Sequence, residues 1–299
     1  MNTVVDTGLS GRVAIVTGVN NPHGIGAAIA RALAAEGAKV MLSYYLLNKD
    51  DKTATELEAM ASEFPGRAFY ESQQATEPDE VLYTIRGAGG LVDAWEADLT
   101  DPSAAPTLFD EAEKRLGPVQ ILVNNAAHWE ADTFIPAARD LHSKSPELWA
   151  DRPSPVTEGS FERNFRINTR AVALMMAEFA KRHINRGENW GAIVNVSTAG
   201  AYCSPSEVSF GASKLALESY TRSAAEELGS FGITINTVSL GPIQTGWITP
   251  EVERDMLPAI PMGRVGTPDD VAGTTVFLVS EQARWITGQR LYVGGGHGG

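Results

Sequence analysis

Arg12-Val13-Ala14-Ile15-Val16 is a run rich in β-branched residues, long enough for a buried strand and too short for a helix. It leads straight into Thr17-Gly18-Val19-Asn20-Asn21-Pro22-His23-Gly24-Ile25-Gly26. Ile25, Ile29 and Leu33 then recur at spacings of four, with Gly37 just past the last of them, which predicts one helix and its end. Lys39 to Tyr44 reads as a second strand. Strand, glycine-rich turn, helix and strand in this order leave few folds open. The crossover helix makes the two strands parallel, and a parallel sheet needs cover on both faces. A βαβ unit with glycines in its first turn is the unit that binds dinucleotides.

Each glycine has its own task in that reading. Gly18 permits the tight turn, Gly24 lets the backbone approach a pyrophosphate, and Gly26 lets helix and strand pack closely. Asn20 and Ile25 share the turn and join the candidate cofactor contacts, and the N–H groups of the helix start face the phosphates. Tyr44 closes the second strand, where NAD-preferring enzymes carry a carboxylate for the ribose 2′-hydroxyl. Ser43, Tyr44 and Tyr45 offer none, and Lys49 and Lys52 follow, so the expected cofactor is NADP(H) rather than NAD(H).

The rest of the chain alternates in the same way. A helical stretch near Thr53 to Glu63, a helix Asp79 to Gly87 and a strand Leu91 to Asp98 come next. A helix Ala104 to Leu116, a strand from Val119, a long helix Phe161 to Ala180 and a strand Ala192 to Thr198 follow. Helix Phe210 to Leu228, strand Ile233 to Val238, helix Asp269 to Ser280 and strand Arg290 to Val293 close the chain. The pattern predicts an α/β fold: a single Rossmann-type doubly wound parallel sheet of about seven strands with helices on both faces, over residues 1–299. Two longer segments, about 46–78 and 128–155, read as a solvated excursion and as a pocket wall or a surface loop. Trp129, Trp149, Tyr202 and Trp247 fall where they could border a pocket for an apolar or aromatic ligand, or pack in the core.

A net charge of −13 argues against nucleic acid and anionic membrane as partners, since both reward clustered cations. The single Cys203 rules out an intrachain disulfide framework, and with no second cysteine and no paired histidines no metal site is expected. No apolar run approaches a membrane span and no basic leader precedes the first strand, so a cytoplasmic protein is expected.

Val119-Gln120-Ile121-Leu122-Val123-Asn124-Asn125-Ala126-Ala127, Asn195-Val196-Ser197-Thr198, Phe210-Gly211-Ala212-Ser213-Lys214 and Gly241-Pro242-Ile243-Gln244-Thr245 stand in one order with the glycine-rich turn. With Gly263 to Pro268 and Trp285 to Gln289, this series resembles the short-chain dehydrogenase/reductase family, especially its 3-oxoacyl-carrier-protein reductase-like branch. The resemblance implies hydride transfer between a nicotinamide cofactor and a carbonyl or alcohol substrate. It implies adenine contacts at Asp98 and Leu99, sheet and ribose contacts at Asn125 and Ala126, and nicotinamide contacts at Gly241, Ile243 and Thr245. Lys214 matches the family's lysine and Asn168 the asparagine that holds a water relay. The carbonyl-orienting hydroxyl falls on Thr198 by counting along the strand and on Ser197 by counting back from Phe210, with Ser197 preferred.

Several departures stand out against the family pattern. Segments 46–78 and 128–155 are longer than the family norm and read as insertions. The glycine-rich turn is two residues longer than usual, Ala127 replaces a glycine, Leu240 and Pro242 depart from the usual Pro-Gly order around Gly241, and Phe210 stands where the catalytic tyrosine belongs. Phenylalanine has no proton to give. The chain as written is expected to bind dinucleotide and to reduce carbonyls slowly or not at all. An altered copy of an active enzyme, a non-catalytic sensor or scaffold, and proton supply from Tyr202 or water remain as accounts, the first preferred. Family members assemble as tetramers, which makes a homotetramer or homodimer the expectation by analogy alone.

Overall fold

β1 (Val13–Thr17) is buried along its whole length, which a strand achieves only when both faces of its sheet are covered. Its side chains divide between two cores with the period of two that a strand imposes. Ala14 and Val16 join one apolar cluster, Val13 and Ile15 the other. The computed structural model describes residues 6–47, 54–62, 64–136 and 154–298.

After β1 come α1 (Ile25–Ala35), β2 (Lys39–Tyr44), α2 (Ala54–Ala61), α3 (Arg67–Gln74), α4 (Asp79–Gly87), β3 (Val92–Glu96), α5 (Ala104–Leu116) and β4 (Val119–Asn124). A two-residue pairing of β5 (Asp132–Thr133) with β6 (Ser154–Pro155) stands apart from the main sheet. Then follow α6 (Glu158–Phe165), a π-helical segment (Arg166–Ala171), α7 (Val172–Asn185), β7 (Gly191–Thr198), α8 (Val208–Leu228), β8 (Ile233–Leu240), α9 (Pro250–Met256), α10 (Pro268–Val279) and β9 (Arg290–Val293). The seven long strands form one sheet in the order β3-β2-β1-β4-β7-β8-β9, and every pair is parallel. Residues of α1, α4 and α10 cover one face, and residues of α5, α7 and α8 the other. The doubly wound sheet expected from the alternation is therefore present. No helix among the described residues is long and apolar enough to cross a membrane.

The short α9, β5 and β6 are absent from the sequence reading, and three further elements differ from it. The segment after α2 contains α3, whose eight residues are too polar to show an apolar stripe; its Phe69 is buried against His23 and Phe64. The long helix expected from Phe161 begins at Glu158, where Thr157 and Ser160 form a reciprocal cap, and is interrupted by the π segment. α8 begins at Val208 rather than Phe210, because the carboxylate of Asp132 accepts the Ser209 N–H at 2.8 Å and satisfies a free donor of its first turn. Lys49, Lys52 and Trp149 lie outside the described residues.

Candidate functional site

The glycine-rich turn leaves β1 and is held by the end of β4. Gly18 has φ +74°, and a Cβ there would lie 2.8 Å from the Ala126 Cα. A Cβ on Gly26 would lie 2.5 Å from the Gly18 carbonyl oxygen and 2.7 Å from Asn125 Nδ2. Asn125 is itself anchored, since its Nδ2 donates to the carbonyls of Thr17 (2.9 Å) and Gly18 (3.1 Å). The Thr17 hydroxyl accepts the N–H groups of Asn125 and Ala126, both at 3.0 Å. Ala127, in place of a glycine, is held without a positive φ.

Beyond Gly18 the long turn is braced on two sides. Asn20 Nδ2 donates to the carbonyls of Tyr45 (3.0 Å), Thr76 (3.2 Å) and Gln74 (3.4 Å), so this side chain ties the turn to the segment after α3. Asn21 Nδ2 donates to the Thr245 carbonyl at 2.8 Å, which draws the loop after β8 onto the turn. Gly24 opens α1 with no side-chain cap, and no acidic residue stands in the first turn, so the N–H groups there suit an anion. Ile25 is partly buried against the core beneath.

A second cluster lies along α8 and β7. The Lys214 ammonium is buried, donates to the Val196 carbonyl at 2.9 Å and stands 6.0 Å from the centre of the Phe210 ring. Burial pushes Lys214 down to about 8, against the attraction of Glu218, which works to raise it. Ser197 and Thr198 diverge, as neighbours on a strand must. Ser197 is buried and donates its hydroxyl to Glu218 Oε1 at 2.7 Å. Thr198 is half-buried, ends β7 and accepts the Gly200 N–H at 3.4 Å. Asn168 sits in the π segment, a distortion that marks functional sites in helices. Its side chain is fully engaged: Oδ1 accepts the His128 N–H (2.9 Å) and Nδ2 donates to the His128 carbonyl (2.8 Å) and the Ser213 hydroxyl (2.9 Å).

Comparison with known proteins adds the lineage. The family profile described as Enoyl-(Acyl carrier protein) reductase matches residues 67–297. The chain is 33% identical over 287 residues to "Uncharacterized oxidoreductase YjdA" of Bacillus subtilis, covering 95% of this chain and 96% of that one. It is 32% identical over 297 residues to "NADPH-dependent aldehyde reductase-like protein, chloroplastic" of Arabidopsis thaliana, covering 97% and 95%. A solved short-chain dehydrogenase/reductase from Serratia marcescens superposes with a TM-score of 0.71 at 27% identity, covering 97% of this chain and 99% of that one. This chain belongs to the short-chain dehydrogenase/reductase family.

The remaining candidates of this short-chain dehydrogenase/reductase fall at the carboxyl ends of its strands. Tyr44 accepts the Ala97 N–H through its carbonyl, and its phenol is raised first by burial and then by Glu77, Glu96 and Asp79. Glu96 pairs with Tyr44 across β2 and β3 and accepts the Leu46 N–H at 3.4 Å. Carboxylates therefore reach the end of β2 from its neighbours, which a reading of β2 alone could not see. Asp98 folds back to accept the Thr100 N–H at 2.8 Å, and Leu99 packs into the core beside α5. Gly241 lies where a Cβ would meet the Gly294 Cα at 2.7 Å, so its bareness serves the chain's own tail. Ile243 is buried and bridges Gly266, and Thr245 is buried with its carbonyl on Asn21.

Four groups at the site carried no sequence signal strong enough to single them out. Asp132 is fully buried, and besides the Ser209 N–H it accepts the Ser160 hydroxyl at 2.9 Å. Glu207 accepts from the Trp129 indole at 3.1 Å, and burial raises its carboxyl while that bond works the other way. Glu218 and Arg290 complete the set; an acid one turn after Lys214 was the only available hint. Arg163 is bound through two bonds of 2.8 Å to Glu130. Tyr202 is exposed at 82%, outside any packed wall. Among the described residues no group of three or more His, Cys, Asp or Glu could hold a metal ion.

Proposed function

We propose that this chain binds NADP(H) and presents a site for hydride transfer with a carbonyl or alcohol substrate, in which Phe210 occupies the place of the proton donor. The observation that carries this reading is the Phe210 ring beside the buried Lys214 ammonium, on a helix braced to the β7 strand end. Gly18, Gly24 and Gly26 with the uncapped start of α1 would take the pyrophosphate, and Asn125, Ala126, Ile243 and Thr245 would border the nucleoside halves. When bound, the nicotinamide supplies the hydride. Thr198 is the better hydroxyl for the carbonyl oxygen, because Ser197 is already committed to Glu218. Asn168 braces the Trp129 loop against α8 through its bonds to His128 and Ser213, so any water relay would run past its backbone rather than its side chain. Negative charge builds on the carbonyl oxygen during transfer and needs a donor and then a proton. Thr198 can donate and Lys214 can attract that charge, but Phe210 leaves the proton to water, and slow reduction follows. The missing hydroxyl also favours a second reading, a dinucleotide-binding protein without catalysis.

The titration of Lys214 tests the cofactor part. Its ammonium is charged below about 8 and neutral above. A charged donor binds ribose hydroxyls better than a neutral one, so NADPH affinity should be full near pH 7 and fall as pH rises through about 8. Phe210 cannot ionise, so no phenol obscures the transition. Fluorescence titrations of NADPH from acid to alkaline pH would read it, and an affinity that stays flat throughout would remove Lys214 from the cofactor site.

NADP(H) over NAD(H) is supported by the lack of a carboxylate on Ser43 to Tyr45 and by the name of the Arabidopsis relative. Glu96 opposes a 2′-phosphate near Tyr44. Glu96→Gln should therefore tighten NADPH about two- to five-fold while leaving NADH unchanged. An unaltered affinity ratio would place the 2′-group away from Tyr44.

A further inference from the structure

Burying a carboxylate costs several kcal/mol unless partners replace its water, so a buried acid on a helix calls for an explanation. Glu218 is 2% exposed and lies on α8 one turn beyond Lys214. Its Oε1 accepts the Ser197 hydroxyl at 2.7 Å and lies 3.2 Å from Arg290 Nε. The Nε–H is not aimed at that oxygen, so the second contact is one of charge rather than a hydrogen bond. Arg290 comes from β9, at the sheet edge, and reaches across the end of β8. Its Nη2 donates to the Ser239 hydroxyl (3.1 Å) and to the carbonyls of Thr198 (3.2 Å) and Ala199 (3.3 Å). One ion pair thus touches the residue before Thr198, Thr198 itself and the residue after it. Glu218 also follows Lys214 by four residues, on the same face of α8.

We propose that Glu218 is a positioning residue for the cofactor site, acting through Lys214 and Ser197, with Arg290 as the counter-ion that locks the β7 strand end. This rests on the reading that Lys214 contacts the cofactor. Lys214 has few other charges to answer to. β7 presents the Val196 carbonyl and the Ser197 hydroxyl, the π segment presents Asn168 and Thr169, and β9 presents Arg290 behind Glu218. The His128 imidazole turns to Glu130 instead. Glu218 is accordingly the negative group that favours the charged lysine against its burial.

The experiment is NADPH titration by fluorescence across pH on the wild-type chain, Glu218→Gln, Glu218→Asp and Arg290→Met, each checked for folding by circular dichroism. Glu218→Gln keeps the shape and the Ser197 bond but removes the charge. The pH at which NADPH affinity falls should move down by about one unit. Glu218→Asp should restore it toward wild type, which a role in packing alone would not produce. Arg290→Met frees the Glu218 charge and should move the transition up. If Glu218→Gln does not fold, the direction of the Arg290→Met shift decides. A wild-type transition near 8 that no variant moves would overturn the positioning role while leaving the cofactor reading intact. No transition in the wild type would defeat the cofactor reading first.

Discussion

Phe210→Tyr should raise NADPH-dependent carbonyl reduction by about 10²–10⁴-fold, the usual worth of a placed general acid. The ring already stands 6.0 Å from the Lys214 ammonium by its centre, and a hydroxyl at its tip is the one atom added. A neighbouring ammonium favours the phenolate and so lowers the phenol's pKa, the condition for proton exchange near neutral pH. Phe210 is half-buried, so the added oxygen does not have to be forced into a dry core. The measurement is the loss of NADPH absorbance against a panel of aldehydes and ketones. Lys214→Met placed on top should erase most of the gain, and Phe210→Leu should produce none. Intact NADPH binding with no gain on any substrate would sink the enzyme reading and leave the dinucleotide-binding one.

The second large effect belongs to Gly26→Ala. The new methyl would sit 2.5 Å from the Gly18 carbonyl oxygen and 2.7 Å from Asn125 Nδ2, distances that real Cβ atoms do not show. Neither neighbour can yield freely, because the Gly18 carbonyl belongs to a turn with φ +74° and Asn125 is tied to Thr17 and Gly18. Overpacking of this kind costs about 1–3 kcal/mol, which would weaken NADPH roughly ten- to hundred-fold if it falls on the turn. Gly87→Ala is the control, since a Cβ there meets nothing within 4 Å at the end of α4. Equal NADPH affinity for Gly26→Ala and wild type would show that the turn does not carry the pyrophosphate.

Much of the fold was readable because its rules are local. A strand that must be buried on both faces has to be apolar throughout, as β1 is, and a helix covering it has to repeat Ile25, Ile29 and Leu33. α3 escaped for the opposite reason: it is short and polar, and its buried Phe69 packs against Phe64 just before it and His23 of the distant first turn. The π segment around Asn168 likewise leaves no trace in periodicity, since its flanks are ordinary helix. Polar residues also line the buried face of α8, where Ser209, Ser213, Lys214, Glu218 and Thr221 stand among Leu217 and Ala225.

By itself, then, the amino-acid sequence determined the doubly wound architecture, the glycines of the first turn and the pairing of Phe210 with Lys214. Each depends on spacing along one element or on a backbone angle that a side chain forbids. Only the tertiary structure decided what each polar group has left to offer. Counting back from Phe210 favoured Ser197 over Thr198, but adjacent residues on a strand face opposite ways, and α8 brings Glu218 to Ser197, which leaves Thr198 the less committed hydroxyl. Glu96 reaches the end of β2 from β3, and Arg290 reaches β7 across β8. A hydrogen bond or an ion pair consumes a group's capacity for a ligand, and which partner consumes it is settled by packing between distant segments.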